Sequence, residues 1–129
     1  NNGFLNSVER YDPATNAWEA VAPMATARLA HAMAVVDGKL YAMGGNNNGF
    51  LNSVERYDPA TNAWEAVAPM AEARHSHGMA VVDGKLYAMG GYNNGFLNSV
   101  ERYDLAVGAW EAVAPMAAAR MEAFAVLMM

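Results

Sequence analysis

The chain of 129 residues contains no cysteine, which excludes disulfides and thiolate metal sites. It has no surplus of positive charge. Eight Lys and Arg stand against 13 Asp and Glu, a formal net charge of −5, and the basic residues are scattered along the chain. This argues against a nucleic-acid partner, because phosphate binding needs clustered Lys and Arg. No apolar run approaches the roughly 20 residues that a membrane helix needs, so no membrane partner is expected. The opening Asn1-Asn2-Gly3 is polar and uncharged, unlike a signal peptide, and it lacks an initiator Met, as when a leader or tag has been removed. These features fit a soluble chain compatible with cytoplasmic expression and specify no localisation. Apolar spacing of the helical kind is also absent, which predicts almost no helix.

What the chain does have is a repeat. Phe4, Phe50 and Phe96 are spaced 46 residues apart, as are Trp18, Trp64 and Trp110, and Arg28, Arg74 and Arg120. Residues 2–45 match residues 48–91 at 40 of 44 positions, the differences being Thr26/Glu72, Leu29/His75, Ala30/Ser76 and Ala32/Gly78. Natural repeats drift further than this. Near-identity with changes in one short segment reads as an engineered symmetric consensus, with a recent tandem duplication as the alternative.

A unit of this length suits a propeller blade of four short strands. Within one unit, His31 to Val36 is an apolar segment followed by Asp37-Gly38, the signature of a two-residue hairpin whose type I′ turn needs positive φ. Lys39 to Met43 is the second strand, ended by Gly44-Gly45. A polar loop, Asn46-Asn47-Asn48-Gly49, leads to a third strand from Ser53 to Tyr57. The segment from Asp58 to Asn62 reads as a type I turn with Pro59 at its second position and Asn62 in the left-handed region. Trp64 to Val67 is the fourth strand, ended by Pro69. In the third copy Gly108 stands where Asn62 stands in the second, which preserves a residue able to take positive φ.

With the double glycines (Gly44-Gly45, Gly90-Gly91), the tyrosines (Tyr57, Tyr103) and a Trp following each Tyr after six intervening residues (Trp64, Trp110), the chain resembles the kelch repeat. Tyr11 and Trp18 show the same spacing in the first copy. The run Leu-Asn-Ser-Val-Glu-Arg-Tyr-Asp, with Val-Ala-Pro-Met after the Trp, is similar to the propellers of kelch-like, ECH-associated stress sensors. The resemblance implies that the strand before Asp-Gly lines a central channel and that the Trp strand is outermost. It also implies that the double glycine, Tyr and Trp are packing residues.

The expected fold is therefore all-β, a kelch-type β-propeller fragment. With strands lettered a to d outwards, the order is c-d, a-b-c-d, a-b-c-d, a. The expected divisions of 1–129 are a half blade at 1–28, blades at 29–70 and 75–116, and a terminal strand at 120–129. Too few blades for a ring, together with exposed apolar end faces, predict a homodimer forming a six-bladed, pseudo-symmetric ring. Three full units would need 138 residues, so strand b is expected to be missing from each closing blade. The apolar tail from Ala123 to Met129 reads either as a new contact or as an accident of cloning.

Candidate chemistry is sparse. His31 and His77 share one repeat position, and His75 lies two residues before His77, on the same face if the chain is extended. Glu122 occupies the repeat position of Ala30 and Ser76. A His-x-His pair with a carboxylate is a candidate Zn²⁺ or Cu²⁺ site, although two histidines rarely suffice, and plain channel or loop histidines are the favoured reading. No other cofactor is expected. Ser76, His77 and Asp83 offer a formal triad without a nucleophile elbow or oxyanion loop, so the chain reads as no enzyme. Repeated Glu9, Glu55 and Glu101 beside Arg10, Arg56 and Arg102 suggest ion pairs that orient strands and blades. Met residues in strands read as adaptable core filling.

In kelch proteins the ligand face is built from the loops entering strand a and those between b and c. The resemblance carries that face onto Leu29, Ala30, His75, Ser76, Met121 and Glu122, with Asn46, Asn47, Asn48, Tyr92, Asn93 and Asn94. Those loops lack the arginines with which the stress-sensor propellers take acidic peptides. The leading functional reading is a designed, self-assembling scaffold without a natural substrate. The alternative is a protein- or peptide-binding module using the loop face.

Overall fold

The computed structural model describes residues 4–120. Ten strands form antiparallel sheets, and no helix occurs among the described residues. The first sheet pairs β1 (Val8–Asp12) with β2 (Ala17–Val21). The second runs β3 (Ala32–Val36), β4 (Lys39–Met43), β5 (Val54–Asp58), β6 (Ala63–Val67). The third repeats that order as β7 (Gly78–Val82), β8 (Lys85–Met89), β9 (Val100–Asp104), β10 (Ala109–Val113). The chain thus presents the outer half of one blade and two whole blades. The expected terminal strand at 120–129 lies outside the described residues, apart from Arg120.

Local sequence explains the turns. Asp37 and Gly38 adopt φ of 53° and 74°, and Asp83 and Gly84 repeat this at 50° and 74°. Positive φ at both residues is the type I′ hairpin that Asp-Gly favours, since its twist matches that of the strands. At the outer turn, the Asp58 carboxylate accepts the Ala60 N–H at 2.9 Å, and Asn62 closes the turn onto the Asp58 carbonyl at φ 52°. Gly108 takes φ 75° at the equivalent place, so the exchange of Asn for Gly keeps the backbone.

The strand bounds differ slightly from expectation. The inner strands begin at Ala32 and Gly78 rather than at the preceding His, because Ala30 (φ 56°) and Ser76 (φ 54°) are left-handed and interrupt the extended chain. The third strand begins and ends one residue later than expected, and the fourth starts one residue earlier, as Asp58 still pairs with Ala63.

Blades stack through their faces. The main core comprises Val36, Tyr41, Met43, Val54 and Met70 on one blade against Leu86, Ala88 and Tyr103 on the next, with Leu105 and Trp110 packed at its edge. Burying such faces is the dominant favourable term in holding consecutive blades together. The innermost strand β3 approaches β7 and β8, which places strand a at the centre as expected. An additional backbone bond from Ser76 N–H to the Ala30 carbonyl, 2.8 Å, links the starts of the two inner strands.

Candidate functional site

Two features of the molecule bear on function: the seams between blades and the loop face. Each seam is made by a connection that leaves one blade and docks on the next. Residues 68–74 are held to the blade they leave by Met70 N–H to Asn52 O at 2.9 Å and Arg74 N–H to Leu51 O at 3.1 Å. They are held to the following blade by Glu101, whose carboxylate accepts the Ala71 and Glu72 N–H groups at 2.7 and 3.1 Å. The buried Arg74 guanidinium donates to Glu101 at 2.9 Å and to the Gly90 and Ser99 carbonyls. The seam one repeat earlier has the same arrangement: Glu55 accepts from Ala25, Thr26 and Arg28, and Arg28 reaches Gly44 O and Ser53 O. Charge-assisted bonds in a buried setting fix the connection strongly, and a partner removed there leaves an uncompensated charge.

Gly44 shows why this position excludes a side chain. A Cβ there would lie 2.4 Å from the Arg74 carbonyl oxygen and 2.9 Å from the His77 ring. The backbone of one blade therefore passes directly over the connection to the next.

At the outer rim, the Trp64 indole N–H donates to the Ala22 carbonyl at 2.8 Å, and Trp110 does the same to Ala68 at 2.9 Å. The Asn62 amide oxygen accepts both the Tyr57 hydroxyl, 2.7 Å, and the Ala22 N–H, 3.0 Å. Each Trp lies across the ladder from its Tyr, with ring centroids 5.2–5.3 Å apart. Arg–Glu pairs also cross the outer ladder, Arg10 with Glu19, Arg56 with Glu65 and Arg102 with Glu111. The repeated acids and bases thus divide by role: Glu55 and Glu101 join blades, while the arginines beside them join strands.

The loop face gathers the two segments expected there. Leu29 and Asn46 exchange backbone hydrogen bonds at 3.0 and 2.8 Å, and His75 and Tyr92 do so at 3.3 and 2.9 Å. Asn47 is tied down by its amide, which donates to the Ala27 carbonyl at 3.0 Å. Asn48 and Asn94 are left-handed, at φ 55° and 57°, and the Asn93 N–H donates to Gly95 O at 3.0 Å. His75 stacks on Phe50, centroids 5.3 Å apart, and Tyr92 meets Phe50, His75 and Phe96 edge-on or tilted at 5.4–6.0 Å. This aromatic row was not singled out from sequence. Its signal was there, since His75 replaces Leu29 and Tyr92 replaces Asn46 at the two positions that the backbone pairs.

The expected common face for His75 and His77 does not form. Ser76 is left-handed, which turns the two side chains apart; His75 joins the aromatic row and its Nδ1 lies 3.0 Å from the Ser76 hydroxyl. His77 turns inward against Gly44 and Gly91, with neither ring nitrogen partnered. Burial, with smaller contributions from Arg74, His31 and His75, holds its pKa down at about 3. His31 is lowered as well, by burial and then by Arg28. No group of three or more His, Asp or Glu suited to a metal ion occurs among the described residues. Glu122 and Met121 lie outside them. The Ser76 hydroxyl faces His75 rather than His77, and Asp83 sits in the hairpin at the far end of β7, so the formal triad does not assemble. A cavity of about 450 Å³ opens at that hairpin end between Asp37, Asp83, Lys85 and Asp104.

The KLHDC2/KLHL20/DRC7 Kelch-repeats domain family matches residues 1–127. The chain belongs to the kelch-repeat family. Similar proteins include Kelch-like protein 7 of Homo sapiens, 49% identical over 43 residues, 33% of this chain and 7% of that protein. The Influenza virus NS1A-binding protein homolog of Mus musculus is 51% identical over 43 residues, again 33% of this chain and 7% of the relative. Kelch-like protein 35 of Mus musculus is 51% identical over 41 residues, 32% of this chain and 7% of that protein. The chain spans less than a tenth of the length of these curated relatives. Kelch-repeat relatives are mainly protein-interaction modules rather than enzymes, and the double glycine, Tyr and Trp of this kelch chain hold its seams and outer strands.

Proposed function

We propose that this kelch chain is an engineered, symmetric scaffold that performs no chemistry and completes its ring by associating with another copy of itself. The observation that supports this reading is the bare outer face of β1–β2. Tyr11 and Trp18 are 42% and 66% exposed, whereas Tyr57 and Tyr103, at the same repeat position as Tyr11, are 6% and 3% exposed. A matched aromatic pair left in water is an association surface. The near-identity of the repeats supports the engineered origin. Sedimentation equilibrium or native mass spectrometry at micromolar concentration tests the reading: a dimer supports it, and a monodisperse monomer overturns it.

A second reading is favoured by the aromatic row of Phe50, His75, Tyr92 and Phe96. On it, the loop face binds a protein or peptide, as the kelch family's interaction modules do. Titration with a peptide library, read by chemical shifts of His75 and Tyr92, tests that reading.

A further inference from the structure

The two end faces of the described chain are complementary halves of one seam. Glu9 occupies the position of Glu55 and Glu101, yet it is exposed and accepts from no connection among the described residues. Arg120 occupies the position of Arg28 and Arg74, yet it is exposed and its guanidinium meets no carboxylate among the described residues. Trp18 occupies the position of Trp64 and Trp110, is 66% exposed, and its indole meets no carbonyl among the described residues. Ala114 occupies the position of Ala22 and Ala68, and among the described residues its carbonyl receives no indole.

The acceptor face is also shaped for a guest. Beside β8, β9 and β10 lies a mostly apolar cavity of about 290 Å³, lined by Tyr87, Met89, Val100, Val113, Pro115 and Met116. Their counterparts one repeat earlier include Tyr41, Met43, Val54, Val67 and Met70, the half of the internal core that takes up Tyr103 and Trp110. On β1–β2 the matching pair is preformed. Tyr11 and Trp18 lie 5.3 Å apart, and the Tyr11 hydroxyl donates to Asn16 at 2.7 Å, as Tyr57 does to Asn62.

We propose that the β1–β2 face of one molecule docks head-to-tail on the β8–β9–β10 face of a second copy, locked by Arg120 against Glu9 and by Trp18 against the Ala114 carbonyl. The internal seams supply the template. Arg120 and the 117 and 118 N–H groups converge on the partner's Glu9, as Arg74 and the 71 and 72 N–H groups do on Glu101. Asn16 of the partner subunit accepts the Ala114 N–H, as Asn62 accepts that of Ala22. The contact is heterologous, so two copies close it only by using both faces of each. Leu86 and Ala88, the inner part of the internal seam, have no counterpart on β1–β2, so the intermolecular seam buries less apolar surface than the internal one.

This inference rests on the self-association reading and is tested by charge reversal. Glu9→Arg and Arg120→Glu are made singly in the whole chain. Both positions are exposed, so the circular dichroism spectrum of each variant should match the parent. Each single variant places like charges across the seam and is expected to weaken self-association at least about tenfold by sedimentation. Mixing the two variants in equal amounts restores opposite charges at both seams, and association should rise above that of either variant alone, short of the parental level because at one seam the substituted position 9 no longer accepts the 117 and 118 N–H groups. If the parent associates and both variants associate equally well, or if the mixture stays dissociated, the head-to-tail seam is overturned while self-association stands. A monomeric parent overturns both.

Discussion

The Arg74 guanidinium lies 2.9 Å from the Glu101 carboxylate, and neither side chain is more than 5% exposed. Arg74 belongs to the connection leaving one blade and Glu101 to the third strand of the next. The same carboxylate also caps two backbone N–H groups, so one acid anchors an entire connection. Glu55→Ala should therefore cost about 3–5 kcal/mol in chemical denaturation, because it leaves the buried Arg28 guanidinium unpaired, whereas Glu101→Ala should cost less, since Glu72 also lies 3.6 Å from Arg74. Glu19→Ala, which removes an exposed cross-strand partner of Arg10, should leave the denaturation midpoint unchanged within error.

Gly108 keeps the backbone of its turn but not the side-chain chemistry of Asn62. A Cβ at Gly108 would sit 3.9 Å from the Tyr103 hydroxyl, which has no amide to bond there. Gly108→Asn should restore an acceptor for Tyr103 and for the Ala68 N–H. A gain of about 1 kcal/mol is expected, read as an upward shift of the thermal midpoint. An unchanged or lower midpoint would show that the amide does not strengthen the seam.

Two glycines with similar φ should respond very differently to alanine. Gly38→Ala meets nothing within 4 Å, so only the left-handed strain of about 1–2 kcal/mol applies. Gly44→Ala adds the collision with the Arg74 carbonyl and should cost at least about 3 kcal/mol. Comparable losses at the two sites would refute the close passage of blade over connection.

Acid should loosen the fold through His77. Its folded pKa, about 3, is below the ordinary value of 6.5, so the neutral ring is favoured by folding. The stability tied to it is complete above about pH 6.5 and is lost progressively as pH falls towards 3. His77→Phe should flatten the dependence of the thermal midpoint on pH between 6.5 and 4. An unaltered slope in that variant would assign the acid sensitivity to carboxylates instead.

The blade was legible because its signals are local. Asp37-Gly38 and Asp58-Pro59 specify turns whose chemistry needs no distant partner, and the recurrence of Tyr and Trp sets the register between them. Partners across blades were less legible. Glu55 looks like a companion of Arg56 in sequence, yet it points to Arg28, 27 residues away. Ser76 misled for a related reason. A serine just before an expected strand gives no warning of φ 54°, and that one dihedral separates His75 from His77. The aromatic row depends on loops meeting side by side, which only the backbone pairing of His75 with Tyr92 reveals.

The hairpin tips have the opposite character to the seams. Around Gly38 and Gly84 there is open space, and these tips lie at the end of the inner strands remote from Leu29 and His75. A guest peptide spliced between Asp37 and Gly38 would project from the hairpin end of the inner strands, away from Arg28, Glu55 and Trp64. The molecule thus offers evenly spaced attachment points for cargo, one per blade, on the side that the aromatic row leaves vacant.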